Sequence, residues 1–327
     1  MKNFIQLAIG TLLLCSSLPL QAQVGPVNVN NGIIDGPFMR TTIPTKAIVP
    51  YDYNREADIV WSKRVWRSID LRQKMNLGLY YPLDSYDSEG NWIRHNTHWS
   101  LWTVIKTEIL AGNITVYSPY NPVAYTFTDG DQFKYPILPK EGGNYDSDAV
   151  YRENLSYYLY MFGEESDIPY KDMYGYDSLN EKGELVYPPR EMIPYTSKDI
   201  VSYKLKEDWF FNKETSVMDV RIIGIAPEIY IRDAGGTVTG KKELFWLYFP
   251  ECRYAFNNYL AYNPKNDAQW MSYDDLFWKR RFASTIVKQS NVYDRGIETY
   301  RSGVDALQEA AQITAQIRKI EHDVWSF

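Results

Sequence analysis

The residues best placed by type to bind a phosphate lie in a glycine-rich stretch near residue 240. Gly235, Gly240 and Lys241 have the spacing of the first, sixth and seventh positions of a Walker A loop. The eighth position, which should be Ser or Thr to hold magnesium, is Lys242, and residues 244–249 have the composition of a strand. A phosphate-binding loop needs a helix there, because the amides of the helix N-terminus meet the phosphate. The stretch therefore predicts a β-hairpin turn and not a phosphate site.

The three histidines offer too few ligands for a zinc site. His95 and His98 are three residues apart, and zinc needs three or four nitrogen, sulfur or carboxylate ligands. His322 lies far along the chain, in the last predicted helix. Because polar residues separate His95 from His98 just before a predicted helix, we interpret the pair as solvated loop histidines.

Two groups of carboxylates have the residue type of a calcium site but not its spacing. Asp84, Asp87 and Glu89 lie in one turn-rich loop, and Asp146 lies two residues before Asp148. Neither group follows the alternate-position pattern of an EF-hand loop. A structural calcium ion stays open as an alternative.

The sequence contains no motif that is typical of nucleophilic catalysis. There is no G-x-S-x-G elbow, and Cys252 would need a histidine from far away in the sequence, so a buried inert thiol is expected. A carboxylate pair that hydrolyses glycosides stays open, because 41 acidic residues offer many pairs and no spacing selects one. We therefore assign no catalytic, cofactor-binding or metal-binding residue and no cofactor.

The amino-acid composition limits the classes of partner that this protein is expected to bind. The chain has 327 residues, a net charge of -6 and a pI near 5.3, which excludes nucleic acid as the default partner. It contains 28 Tyr, 10 Trp and 13 Phe. Such an aromatic excess suits protein interfaces and sugar-facing surfaces as well as cores.

The first 22 residues have the pattern of a secretory signal peptide. Lys2 precedes a short apolar stretch, residues 7–14, and Ala22 supplies the small residue for cleavage. The apolar run is too short to cross a bilayer. Lipidation at Cys15 is the rival interpretation, but Leu14 is larger than the residue that normally precedes a lipidated cysteine. Without the leader, the chain keeps one thiol and no disulfide can form within it.

Residues 23–55 are predicted to form an extended arm. They contain Pro26, Pro37, Pro44 and Pro50 and have no sustained apolar period, so the segment cannot build a core of its own. The arm is either unattached or bound along another surface.

The mature chain beyond the arm, 56–327, is predicted to be one α+β body. We expect several amphipathic helices with antiparallel hairpin strands, arranged as one compact body or as two packed lobes, 56–195 and 196–327. Similar seven-residue runs at 58–64 and 275–281 raise a duplication as a further alternative. The predicted helices cover about 56–75, 101–111 with Ser100 as N-cap and Gly112 beyond the end, 148–162, 197–211, 272–289 and a last helix with an apolar stripe of Ile313, Ile317, Ile320 and Val324. The predicted strands cover 115–117, 123–128 ending at an Asp129-Gly130 turn, and 217–231 with 243–249 as its hairpin partner.

Several long phrases of the sequence resemble the GldN/PorN family of gliding-motility and type IX secretion proteins. The phrases lie at residues 244–253 (LFWLYFPECR), 263–269 (NPKNDAQ), 274–277 (DDLF), 290–295 (SNVYDR) and 321–325 (EHDVW). The upstream runs 61–67 (WSKRVWR) and 79–82 (LYYP) are similar to the same family. The resemblance covers about 55–327, and the C-terminal phrases are the most specific.

The resemblance implies a structural role in the periplasm, at the inner face of the outer membrane. Members of this family form a ring of their own copies with an outer-membrane lipoprotein of the GldK/PorK type and meet the periplasmic part of a GldM/PorM-type motor protein. The resemblance brings no catalytic residue and implies that the protein is not an enzyme. The rival hypothesis is a secreted carbohydrate-binding or glycoside-cleaving protein that uses Trp and Tyr as sugar platforms.

Overall fold

A computed structural model describes residues 47–325 apart from 96–97, 122–127, 164–167, 172–176, 179–184, 189, 234, 264–265, 267–268 and 270. The predicted signal peptide, most of the arm and residues 123–127 of the strand expected at 123–128 lie outside these residues. The described helices are α1 (Leu77–Tyr80), α2 (Leu101–Ala111), α3 (Ala149–Leu159), α4 (Phe249–Phe256), α5 (Tyr273–Trp278) and α6 (Gly303–Trp325). The described strands are β1 (Ile59–Asp70), β2 (Ser85–Tyr86), β3 (Trp92–Ile93), β4 (Val116–Tyr117), β5 (Pro136–Ile137), β6 (Tyr160–Phe162), β7 (Met192–Pro194), β8 (Ile200–Asn212), β9 (Val217–Arg232), β10 (Val238–Glu243), β11 (Trp246–Tyr248), β12 (Leu260–Ala261), β13 (Met271–Ser272) and β14 (Thr285–Gln289).

An antiparallel sheet forms the centre of the fold. Its strand order is β14-β1-β8-β9-β11-β4-β5, and β10 pairs with β9 as well. The long strands β1, β8 and β9 pair over most of their length. Because β1 lies between β8 and β14, the sheet joins strands from both sides of residue 195. Helices with antiparallel strands confirm the predicted α+β class.

The segment predicted as a helix over 56–75 is mostly strand β1, so this prediction was wrong. Trp61, Val65 and Ile69 recur every four residues. A spacing of four keeps side chains on one face of an α-helix, but it also keeps them on one face of a strand, whose period is two. Val65 and Ile69 are fully buried. The pattern of one apolar face was therefore real, and only its assignment to a helix failed.

The helix predicted over 197–211 was wrong for a related reason, since this segment is strand β8. The segment is rich in β-branched and aromatic residues, which fit a pleated surface buried on both sides. Ser197 does not cap a helix. Its backbone amide donates to Oδ1 of Asp84 at 2.6 Å.

Both ends of α2 and the starts of α3 and α5 were predicted correctly. Ser100 caps α2, where its hydroxyl accepts a hydrogen bond from the amide of Thr103. Gly112 follows that helix with a φ of 78°, a conformation that favours glycine. Asp148 caps α3, and Ser272 caps α5 by accepting from the amide of Asp275.

Three predicted elements end earlier than expected. The helix predicted to reach Gln289 stops at Trp278, and after a turn the chain becomes strand β14. The helix predicted over 148–162 ends at Leu159. The strand predicted over 243–249 is shortened to β11, because Pro250 opens α4, and β10 supplies the hairpin partner of β9. Residues 59–64 belong to strand β1, whereas 275–278 belong to helix α5 and 279–281 follow its end, so the similarity of the two runs marks no structural repeat.

The main core lies between the sheet and helices α2, α3, α4 and α5. A second apolar cluster holds α6 against β1 and β14, with Val65 and Ile286 on the strands facing Ile313 and Ile317 on the helix. The apolar stripe of the last helix is therefore core packing over this stretch. Within the described residues, no helix is both long and apolar enough to cross a membrane.

Candidate interaction surface

The end of the N-terminal arm is fastened to the body by a buried arginine. Arg253 is 3 % exposed, and its Nε donates to Oδ1 of Asp274 at 2.7 Å. Its Nη2 donates to Oδ2 of Asp274 at 3.2 Å and to the backbone carbonyl of Val49 at 2.7 Å. A planar guanidinium suits this fork of three acceptors, whereas the ammonium of lysine does not. We use the name arm anchor for these three residues together with Tyr51 and Trp278, whose rings pack beside Arg253.

Two aromatic rings complete the arm anchor. Tyr51 stacks on Trp278 with ring centroids 5.4 Å apart, and the Arg253 guanidinium lies 4.6 Å and 4.8 Å from their centroids. Burial raises the pKa of Tyr51 to about 12, against an opposing effect of the Arg253 charge. The Tyr51 hydroxyl is therefore neutral at physiological pH, and the ring attracts the cation through its face.

Local sequence explains why these groups meet. Pro250 lies at the start of α4, where its missing amide costs nothing, and this places Arg253 one turn further along. The Ser272 cap starts α5 and places Asp274 in its first turn. Phe249 of α4 packs edge-to-face on Phe277 of α5, with centroids 5.3 Å apart, which fixes the two helices together.

Further contacts hold the residues between the arm anchor and β1. An Arg221 guanidinium nitrogen donates to the carbonyl of Asp52. Asn212 donates from Nδ2 to Oδ1 of Asn54 at 3.1 Å. The described part of the arm is thus attached to the body at residues 49, 52 and 54, and the upstream residues start from a fixed point.

The sheet also presents a strand edge that a second chain could extend. Among the described residues β14 pairs with β1 alone. Between this strand and α6 runs a groove of about 630 Å³ whose lining includes Arg67, Thr285, Ala311 and Arg318. Edge strands offer unpaired backbone groups to a partner strand.

A polar cleft on the other face of the sheet does not offer a sugar platform. The cleft has a volume of about 740 Å³ and contains Trp66, which is only 6 % exposed. Lys288 Nζ lies 4.5 Å and Lys206 Nζ 5.9 Å from the Trp66 ring centroid. The Trp66 indole nitrogen donates to Oδ2 of Asp131 at 3.1 Å. Since lysines already pack on the ring, this cleft does not favour the carbohydrate hypothesis.

The glycine-rich stretch forms a hairpin connection, as the sequence predicts. Gly235 donates its amide to Oδ1 of Asp233 at 3.1 Å, and β10 follows where a phosphate loop needs a helix. Lys241 donates to Oγ of Ser202 at 3.0 Å. These residues are structural.

The histidines and the cysteine are not brought together as a catalytic or metal site. The rings of His95 and His98 lie 6.0 Å apart at the wall of an apolar cavity, and His322 is exposed on α6. Cys252 is fully buried in α4, and burial raises the pKa of its thiol. In the part of the chain that the structure describes, no three His, Cys, Asp or Glu residues form a group that could hold a metal ion.

Three of the candidate calcium ligands accept hydrogen bonds from the protein. Asp84 is 2 % exposed and accepts from Ser197 and from the indole nitrogen of Trp92, at 2.6 Å for the latter. Asp87 accepts from the amide of Asn91 at 2.8 Å in the β2–β3 connection, and these hydrogen bonds lower its pKa. Asp148 accepts from the amides of Val150 and Tyr151 at the start of α3 and from the amide of Lys140. Each of these carboxylates therefore has a role within the fold.

Reasoning from residue types missed the arm anchor. Arg253 lies in one of the phrases that carry the family resemblance, within a run of apolar residues. An arginine in such a run indicates a buried ion pair, because arginine is rarely buried unless it is paired. The partner Asp274 is 21 residues away and could not be chosen among so many acids.

Comparison with known proteins gives one family. Residues 54–326 match the family model described as "Gliding motility associated protein GldN". No curated protein matches this chain. The match begins at Asn54, within the attached segment, and covers nearly the whole of the described body. The chain therefore belongs to the GldN family, whose members are components of the gliding-motility and type IX secretion machinery.

Proposed function

We propose that this chain is a periplasmic structural subunit that forms a ring at the inner face of the outer membrane. Its partners in this proposal are copies of itself, an outer-membrane lipoprotein of the GldK/PorK type and the periplasmic part of a GldM/PorM-type motor protein. The match to GldN over 54–326 is the observation that carries the proposal. A predicted signal peptide at 1–22 fits export to the periplasm.

A structural role also fits the chemistry of the described residues. Cys252 is buried with a raised pKa, and Asp84, Asp87 and Asp148 are engaged in loops and helix caps. A nucleophile needs a neighbouring base and a route to substrate, and Cys252 is fully buried. These four residues thus serve the fold, which agrees with a structural role.

The arm supplies one of the two faces that a ring subunit needs. Subunits in a ring meet head to tail, so each must present two different surfaces. The arm leaves the body at Val49, where Arg253 holds its carbonyl, and the 24 residues from 23 to 46 precede the described chain. A segment that starts from a fixed point and carries three prolines loses less entropy on binding than a free tail does. We therefore propose that the arm crosses to the next subunit or to the lipoprotein.

The test is native purification with an affinity-tagged lipoprotein, comparing the wild-type chain with a deletion of residues 24–46. This deletion keeps the arm anchor, including Val49 and Tyr51. We expect both proteins to unfold at nearly the same temperature as monomers, and the deletion to weaken co-purification and the formation of large assemblies. A third variant replaces residues 24–46 with a Gly-Ser segment of equal length, and the same loss is expected for it.

Two results would contradict parts of the proposal. If the deletion variant assembles as well as the wild type does, the contacts lie on the folded body and the arm is a free linker. If the wild-type chain is recovered as a monomer that is retained on glycan, the ring function is wrong and the carbohydrate hypothesis gains support.

A further inference from the structure

A large apolar cavity opens at the surface of the body, and its described lining includes none of the arm anchor residues. Its volume is about 980 Å³, at the upper end of the range for small-molecule sites. Buried apolar side chains form part of its wall, namely Leu79, Met271 and Leu276. Other apolar lining residues are strongly exposed, with Met75 62 % and Tyr81 50 % exposed. Exposed apolar surface grouped around a recess indicates a binding site, since single scattered residues would need no explanation.

The charged residues that are described on the cavity wall are of one sign. Lys74 and Arg281 line the cavity and are exposed. Among the described residues, the lining contains no Asp or Glu. Among the described residues, neither cation forms an ion pair with a carboxylate. The Arg281 Nη1 atom lies 3.8 Å from the sulfur of Met271. The described part of the cavity thus combines an apolar wall with two cations that pair with no described carboxylate.

We propose that this cavity binds an acyl chain that carries an anionic headgroup. The chain would lie against Leu77, Leu79 and Leu276, and the headgroup would pair with Lys74 and Arg281. The apolar wall supplies affinity through burial of methylene groups, roughly 0.8 kcal/mol for each. The two cations supply the preference for an anion over a neutral amphiphile.

The shape of the site favours an acyl chain over a protein segment. A protein docking on exposed side chains needs a broad patch of about 800 Å² on each partner. This site is instead a recess whose deeper wall is built from nearly buried residues, as Leu79 at 1 % and Leu276 at 5 % exposure show. A flexible unbranched chain can fill such a recess. The inference is independent of the ring proposal, because it concerns the isolated chain.

The binding test uses cis-parinarate, a fluorescent fatty acid with an 18-carbon chain, titrated into the purified full chain. We expect saturable fluorescence enhancement with one site per chain. Leu77→Glu should weaken binding about tenfold or more, because it places a carboxylate in the apolar wall and next to the headgroup. Met75→Glu serves as a second variant of the wall. Leu138→Glu is the matched control, since Leu138 is 60 % exposed and does not line the cavity, and it should bind as the wild type does.

A charge variant tests the headgroup. Lys74→Gln combined with Arg281→Gln should weaken cis-parinarate about fivefold and leave its methyl ester unchanged. Displacement by palmitate would identify a free fatty acid as a ligand, and displacement by phosphatidylglycerol vesicles but not by phosphatidylcholine vesicles would identify an anionic phospholipid. Either displacement supports the proposal.

Three outcomes would overturn the proposal. One is the absence of saturable binding by the folded wild-type chain. Another is unchanged affinity in both Leu77→Glu and Met75→Glu when thermal unfolding shows that they are folded. The third is equal weakening of the acid and its methyl ester by the Lys74 and Arg281 substitutions, because the cations would then not recognise an anion.

Discussion

Arg253 and Asp274 form a buried ion pair in which two guanidinium nitrogens contact the two carboxylate oxygens, at 2.7 Å and 3.2 Å. Their side chains are 4 % and 10 % exposed. Removing one partner of a buried pair leaves an uncompensated charge. We therefore expect Asp274→Ala to lower the free energy of unfolding by about 3 to 5 kcal/mol, measured by urea denaturation.

An exposed pair provides the control for this prediction. Lys279 Nζ lies 3.5 Å from Oδ1 of Asp275, and the Lys279 side chain is 50 % exposed. Lys279→Ala should cost less than about 1 kcal/mol. Equal effects of Asp274→Ala and Lys279→Ala would show that the Arg253 charge is well solvated without Asp274.

Lys106 makes the stability of the fold depend on pH. The residue is 2 % exposed. Its ammonium donates to the Tyr195 carbonyl at 2.9 Å and to the Tyr86 hydroxyl at 2.7 Å. Burial lowers the pKa of Lys106 to about 8, against opposing effects of the Asp84 and Asp199 charges. In the unfolded chain a lysine keeps its proton up to about pH 10.

The sign of the effect follows from proton counting. Between about pH 8 and 10 the unfolded state binds more protons at Lys106 than the folded state does, so the free energy of unfolding rises with pH. The gain from pH 8 to 9.5 should be about 1.5 kcal/mol. Lys106→Met should lack this rise in urea denaturation at the two pH values. A parallel pH dependence in both proteins would assign the effect to other groups.

Gly130 has no room for a side chain. A Cβ at this position would lie 2.3 Å from the backbone oxygen of Ser118 and 2.4 Å from Cα of Pro119. Both are backbone atoms, so the loop would have to move. Gly130→Ala should destabilise the fold by about 2 to 3 kcal/mol. Gly240→Ala, in strand β10, would meet no atom within 4 Å and should leave the thermal unfolding midpoint nearly unchanged or raised.

The last helix is expected to contribute to stability through two isoleucines. Ile313 and Ile317 are 2 % and 6 % exposed against β1 and β14. Ile317→Ala should cost about 2 to 4 kcal/mol in urea denaturation. Val304→Ala, at a position 68 % exposed on the same helix, should change stability by less than about 0.5 kcal/mol. If Ile317→Ala were as mild as Val304→Ala, the stripe would serve a partner more than the core.

The sequence predicted those elements whose signals are local. Ser100 and Gly112 mark the two ends of α2, because a hydroxyl cap and a left-handed glycine act within one turn. The segments 56–75 and 197–211 were misassigned because spacings of four fit both a helix and a strand, and only pairing with distant strands decides between them. The pairing of Val65 with Glu207 joins residues far apart in the chain, and no local pattern encodes it.

The interaction surface was predictable only in part. The proline-rich arm could be recognised from its composition, but its attachment through Arg253 depends on a carboxylate supplied by another helix and a carbonyl supplied by the arm. The apolar cavity joins residues 74–82 to residues 262–281. Such a cavity arises from tertiary packing, and residues that line it, such as Leu77 and Met75, look like ordinary surface positions in the sequence.

The long strands give the body a preferred direction of mechanical strength. Antiparallel hydrogen bonds run perpendicular to the strands, so tension along a strand strains many bonds at once, whereas tension across the sheet opens them one after another. β1 has 12 residues, about 40 Å of extended chain, and is flanked by β8 and β14. Strand β1 follows the segment in which Arg253 and Arg221 donate hydrogen bonds to the carbonyls of Val49 and Asp52. A pull on the arm would therefore reach the sheet through the Arg253 and Arg221 contacts and then through β1, an interior strand held by hydrogen bonds on both sides.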